Sequence, residues 1–222
     1  TYRTPVILLF DEVVGHMREK LVIPKKGELP IVDRLRTSVR KDVDYHPYLP
    51  REDGRLPMSD FGGQHRYNVT GLFHDMWGFP SNNPKVVREL LHHLVDKIEN
   101  NVHVITRYKE HYLEGAEYIL ISYGSSARSS VHLAKNRRER GEKVGVLELQ
   151  SIWPFPEAVV REKCADAKAV IVVEMNMGQV LKEVKACVDN PSKVFLANRI
   201  DNKLITPTNI KTLLRMIQGR GV

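Results

Sequence analysis

Two short segments hold most of the side chains that could bind or fix a ligand. Tyr123-Gly124-Ser125-Ser126-Ala127-Arg128-Ser129 sets a glycine turn ahead of three serine hydroxyls and a guanidinium. Glu174-Met175-Asn176-Met177-Gly178-Gln179 sets a carboxylate and two amides around a second glycine. Each follows a Val/Ile-rich run and precedes a helical pattern. In an α/β sheet that is where free backbone N–H groups and a helix dipole collect anions, ligands and partner chains. Gly124, Ser125, Ser126, Arg128, Glu174, Asn176, Gly178 and Gln179 are therefore the candidate interface or ligand edge. Neither turn carries the G-x-G-x-x-G spacing that a dinucleotide pyrophosphate needs. Helix capping accounts for Ser125 and Ser126 as well as a ligand does, so both readings stand.

Other polar clusters point to less. His74-Asp75 has the composition of a metal pair, but GLFHDMWGFP is punctuated by Gly and Pro and offers no helix to hold a second His in register; a structural hydrogen bond is expected. Glu52-Asp53-Gly54 followed by Asn82-Asn83 is a partial magnesium-diphosphate pattern that lacks the leading Gly and the flanking strand and helix. The nine histidines are dispersed, with no Ser/His/Asp or Cys/His arrangement for nucleophilic catalysis. Cys164 and Cys187 cannot supply the four thiolates of an iron-sulfur cluster and exclude a disulfide scaffold. No catalytic residue and no metal set is assigned to this chain, and its cysteine usage fits a reducing, cytoplasmic setting.

The elements that must carry the two turns are legible from residue 117 onward. YILISYG, VGVLEL, AVIVVEMN and KVFLANR alternate with helical patterns, the last running from a Thr206 cap through Pro207. Four such runs predict βαβ units around a parallel sheet of at least four strands, an α/β domain over 117–222. Ahead of it, Val87, Leu90, Leu91, Leu94, Val95 and Ile98 recur at helical spacing behind an Asn83 cap and Pro84, with His92 and His93 mainly on the polar side. Residues 24–83 hold six of the twelve prolines and no periodicity, too long for an ordinary loop, and 24–116 reads as a connector with one helix. Residues 1–23 read as a buried strand, PVILLF, and a short helix broken at Gly15. A chain opening on a core strand is expected to be part of something longer.

Composition bounds the partners. A chain of 222 residues with 42% apolar and 27% charged residues can bury a core and is not a disordered polymer. The longest apolar run is strand length, so no membrane partner is expected. The net charge of +7 is spread over the 20–66 region, the 128–143 helix and the C-terminal end. With no arginine stripe and only 7% aromatics, nucleic acid is not an expected partner either.

Five segments, TPVILLFDEVVGHMRE, HRYNVTGLFHDMWGFP, YGSSARS, LELQSIWPFP and VVEMNMGQV, are similar in order to the α subunit of 2-oxoacid:ferredoxin oxidoreductases, the 2-oxoglutarate type above all. The resemblance covers essentially the whole chain. It implies that 1–23 are the end of a thiamine-pyrimidine-binding domain, 24–116 a connector, and 117–222 a domain similar to the transketolase C-terminal domain. It further implies thiamine diphosphate with Mg held mainly by a β subunit, iron-sulfur clusters in partner subunits, coenzyme A as substrate, ferredoxin as electron acceptor, and γ and δ subunits as further partners. The activating carboxylate for the aminopyrimidine has no match in this sequence, so the chain alone is expected to be inactive. Arg66 and Arg128 are candidate anchors for a substrate carboxylate by charge alone, and the two turns are expected to line a subunit contact through Asn176 and Gln179. The rival classes are a transketolase-like or dehydrogenase E1β subunit, and a non-catalytic α/β binding module.

Overall fold

The computed structural model describes residues 1–41 and 43–219; residues 220–222, which end the range read as the α/β domain, lie outside the described residues. The chain divides into two compact units. One comprises Thr1–Leu8 and Arg18–Asn101, the other Leu9–Met17 and Val102–Val222.

In the first unit regular structure is confined, among the described residues, to one helix, Pro84–Glu99; the short helix Glu12–His16 falls in the second. They are α2 and α1 respectively. The Asn83 side chain accepts the Lys85 N–H at 2.9 Å, with Pro84 in the first turn. Ile98 is buried on the apolar stripe of α2, whereas Leu91, Leu94 and Val95 stay about half exposed. The loop region is held by rings and backbone bonds. Tyr48 stacks on His74 at 4.8 Å, and the Tyr45 hydroxyl accepts the Ser59 N–H while Tyr67 donates its own to Ser59 O. His74 is buried beside Thr70 Oγ1, and Asp75 Oδ1 accepts the N–H groups of Trp77 and Phe79. The two members of the pair thus do separate structural work.

Val6–Phe10, expected as a buried strand, forms no ladder among the described residues and is 66–90% exposed. An apolar run states that a surface wants cover. It does not state which element supplies it, and a strand needs a partner for its N–H and C=O groups.

The second unit is built on a five-stranded sheet. In chain order its elements are α3 (Val102–Ile105), β1 (Tyr108–His111), β2 (Tyr118–Ser122), α4 (Gly124–Arg138), β3 (Val144–Leu149), α5 (Glu157–Cys164), β4 (Ala169–Glu174), α6 (Gln179–Cys187), a short 3-10 turn (Pro191–Lys193), β5 (Val194–Asn198) and α7 (Pro207–Gly219). The strand order is β1-β3-β2-β4-β5, parallel except for β1, which pairs antiparallel with β3 from Tyr108↔Leu149 to His111↔Val146. β1 arises within the stretch read as connector; its YKEH sequence is polar and mostly exposed, which hides it from a hydrophobicity reading.

The near-continuous apolar strands follow from cover on both faces. Ile119, Ile121, Leu147, Val170 and Val172 pack on one face against Val160 and Cys164 of α5 and Val180, Val184 and Cys187 of α6. Leu120, Val144, Val146, Ile171 and Val173 pack on the other against Leu133 and Ala134 of α4 and Ile210, Leu214 and Ile217 of α7. At the amino ends Glu117 ties three strands together. Its N–H reaches Lys143 O, its carbonyl accepts the Lys168 N–H, and its carboxylate meets both lysine ammonium groups at 2.9 and 2.7 Å. No helix of the described residues is long and apolar enough to cross a membrane.

Candidate functional site

The chain passes from β2 to β3 on one side, then crosses back over β2 to β4 on the other. The strand order therefore reverses between β2 and β4, and the crevice outside their carboxyl ends is the topological switch point of the sheet. The two singled-out turns leave the sheet there, side by side, because Ser122 and Val173 are register partners.

Glu174, the last residue of β4, is fully buried. Its Oε2 accepts the Val180 N–H at 3.1 Å and the Tyr123 hydroxyl at 3.0 Å, and its Oε1 accepts the Leu181 N–H at 3.1 Å. A buried carboxylate is tolerated where such bonds replace its hydration, and the open end of α6 supplies two of them. Asn176 donates from Nδ2 to the Tyr123 hydroxyl oxygen at 2.5 Å, and its Oδ1 accepts the N–H groups of Gly178 and Gln179 at 2.9 and 3.3 Å. Burial, then the neighbouring Glu174 charge, pushes the Tyr123 hydroxyl far above the usual phenol range, so it stays protonated and donates. Gln179 Oε1 accepts the Met177 N–H at 3.0 Å, and Gly178 adopts φ 92°, a left-handed conformation that suits glycine.

The first turn is equally occupied. Ser126 is buried with Oγ 2.7 Å from Tyr123 O and 2.9 Å from Val173 O, which pins α4 to the neighbouring strand. Ser125 donates from Oγ to Met175 Sδ at 3.6 Å, and its N–H reaches the Asp11 carboxylate at 2.6 Å. Arg128 and Met177 are exposed, Met177 by 75%. The structure thus draws Gly124, Ser125, Ser126, Glu174, Asn176, Gly178 and Gln179 to one end of the sheet, with Arg128 one helical turn further along α4. Most of these polar atoms point into the turns and not outward. Asp11, which completes the crevice, and Tyr123, which links its two sides, lay outside the candidate set; Asp11 is far away in sequence, and no local pattern marks it.

A cavity of about 160 Å³ lies in the crevice, lined by Asp11, Tyr123, Ser125, Ser126, Met175 and Asn176. It is well below the roughly 300–1,000 Å³ of small-molecule sites and suits a few waters or one small polar group.

Residues 116–210 match the family profile described as pyruvate:ferredoxin oxidoreductase core domain II. The 2-oxoglutarate synthase subunits KorA of Methanothermobacter thermautotrophicus and Methanothermobacter marburgensis are 37% and 35% identical to the chain over 96% and 94% of its length. The chain is a relative of the 2-oxoacid:ferredoxin oxidoreductases. It spans about half the length of these curated relatives, 56% and 55%. A solved 2-oxoglutarate:ferredoxin oxidoreductase from Magnetococcus marinus, with 2-oxoglutarate, coenzyme A and succinyl-CoA bound, shares the fold. Its TM-score is 0.79 at 24% identity, over 87% of this chain and 34% of that one.

Thiamine diphosphate with its Mg ion, which this family implies, does not fit the groups this chain offers. No three His, Cys, Asp or Glu side chains gather as a metal site among the described residues. The switch-point cavity is too small for the cofactor, its one lining carboxylate, Asp11, accepts the Ser125 N–H, and the Glu174 carboxylate behind it is spent on the N–H groups of α6.

Proposed function

We propose that this chain is a portion of the α subunit of a 2-oxoglutarate:ferredoxin oxidoreductase, a cytoplasmic complex that converts 2-oxoglutarate and coenzyme A to an acyl-CoA and passes the electrons to ferredoxin. The observation that carries the reading is the 35–37% identity to 2-oxoglutarate synthase subunits along nearly the whole chain. In this reading residues 1–23 end a pyrimidine-binding domain and 24–116 connect it to the α/β domain. A β subunit supplies the metal-diphosphate site, and partner subunits carry the iron-sulfur clusters that two buried cysteines cannot hold.

The α/β domain contributes rigidity and contact surface. Its Glu174–Tyr123–Asn176 network, centred on the buried Glu174 carboxylate, fixes the two turns, and the fixed turns present Met177 and Arg128 for a neighbouring subunit; an adaptable thioether and a guanidinium suit such a surface. Profiling ferredoxin reduction by the complete complex with 2-oxoglutarate, pyruvate and a branched 2-oxoacid tests the substrate. A preference for 2-oxoglutarate is expected, and a clear preference for pyruvate overturns it.

A further inference from the structure

Lys97 of α2 is 4% exposed, and among the described residues its ε-amine forms no hydrogen bond and no ion pair. Lysine is almost never buried this far without an acidic partner. The loop packed over its stem does not supply one. Gly54 of that loop lies so close that a Cβ built on it would stand 3.3 Å from Lys97 Cα, Cβ and Cγ, but the neighbouring Asp53 carboxylate is turned to the Arg55 guanidinium at 2.6 Å. One helical turn back, His93 buries its Nε2, and that nitrogen has no partner either. Residues at i and i+4 are neighbours on a helix face. Burial, then the Lys97 charge, lowers the His93 pKa against the pull of Asp96, and burial lowers that of Lys97. Two basic nitrogens thus lie next to each other, withdrawn from water and unpaired. When charged they repel; when neutral each offers a free lone pair.

We propose that Lys97 is a carbon dioxide site, where the ε-amine forms a carbamate and His93 takes the proton. The amine lone pair bonds to the carbon, one C–O π pair moves onto oxygen, and the proton released from nitrogen passes to His93 Nε2. The products are a carbamate anion and an imidazolium, and nothing is oxidised or reduced. The step turns two repelling bases into an ion pair, and charge-assisted hydrogen bonds are the strong ones. Carbon dioxide suits the place because it is small and uncharged and need not shed a hydration shell to enter. The inference does not depend on the proposed activity, since dissolved carbon dioxide is its only co-reactant.

Trapping tests it. The full chain is equilibrated with isotope-labelled bicarbonate, treated with a trialkyloxonium ion to esterify carbamates, and mapped by peptide mass spectrometry. The adduct on Lys97 should exceed that on Lys85, a lysine of the same helix with an 84% exposed side chain, by about tenfold or more, the gain in neutral amine for each unit of pKa. Lys97→Arg keeps the charge without the nucleophile and should abolish the Lys97 adduct. His93→Gln cannot take the proton and should lower it by about tenfold or more, the worth of a hydrogen bond to a charged group. In the parent chain, the His93 imidazole followed by NMR should titrate at higher pH once bicarbonate is added, a shift that Lys97→Arg removes. An adduct on Lys97 no greater than on Lys85, or one undiminished in His93→Gln, overturns the proposal. Should His93→Gln fail to fold, the His93 titration of the parent decides, and one that bicarbonate leaves unmoved overturns it.

Discussion

A single carboxylate, Glu174, organises the carboxyl end of the sheet: three donors converge on it, and none of its surface is left to solvent. Replacing it with Ala strands all three, so Glu174→Ala is expected to cost about 3 kcal/mol or more, and Tyr123→Phe about 1 kcal/mol, in the urea unfolding free energy. Equal, small losses for both would remove Glu174 from the centre of the network. Asn176 belongs to the same network, which changes how the turn should be probed. Asn176→Ala breaks the turn itself, so lost subunit binding in that variant does not report a contact, whereas exposed Met177 does. The two thiols illustrate the opposite case, residues with no chemistry to offer. Burial pushes Cys164 up to about 12 and Cys187 up to about 11. Iodoacetamide labelling of the folded chain at pH 8 should therefore run roughly a hundredfold slower than in urea, and rapid labelling of either thiol would contradict its burial.

The α/β alternation belongs to the level at which sequence speaks most clearly. VGVLEL is apolar at every position but Gly145 and Glu148 because both faces of β3 are covered, and Thr206-Pro207 announces α7 because a hydroxyl cap and a fixed φ serve the first turn. β1 escaped notice because an exposed edge strand is stabilised by the ladder it joins, which YKEH does not encode. Val6–Phe10 shows the converse, since its apolarity predicts burial but names no partner. Within the site, the turns themselves were legible from Gly, Ser and amide clusters following strands, whereas Asp11 was not, because a contact spanning 114 residues leaves no local periodicity. Glu117 carries a prediction at this scale. Hydrogen bonds from Lys143 and Lys168 hold its carboxyl down at about 2, below its ordinary 4.5. A depressed carboxyl stabilises the fold fully above its unfolded value and loses that effect as the pH falls through the folded one. The difference in urea midpoint between the parent and Glu117→Gln should hold steady from pH 7 to about pH 5 and close toward pH 2; a gap undiminished near pH 2 would place the lysine contacts outside the stability of the sheet.

At the scale of the whole molecule, the proposed role is that of a domain supporting a catalytic centre made elsewhere. Its switch-point crevice is small, its carboxylates are engaged in capping, and its most exposed side chains at that edge suit contact. Met177→Asp should therefore weaken assembly of the complex by about tenfold or more, as loss of an interface anchor does, while the circular dichroism of the chain stays that of the parent. Unchanged assembly would confine the turn to its structural role. The central claim is that the chain serves as one part of a 2-oxoglutarate-oxidising complex, and ferredoxin reduction measures it most directly. With 2-oxoglutarate, coenzyme A and thiamine diphosphate present, the complete complex should reduce ferredoxin and this chain alone should reduce none; reduction by the chain alone, or a complete complex inert toward 2-oxoglutarate, would contradict the account.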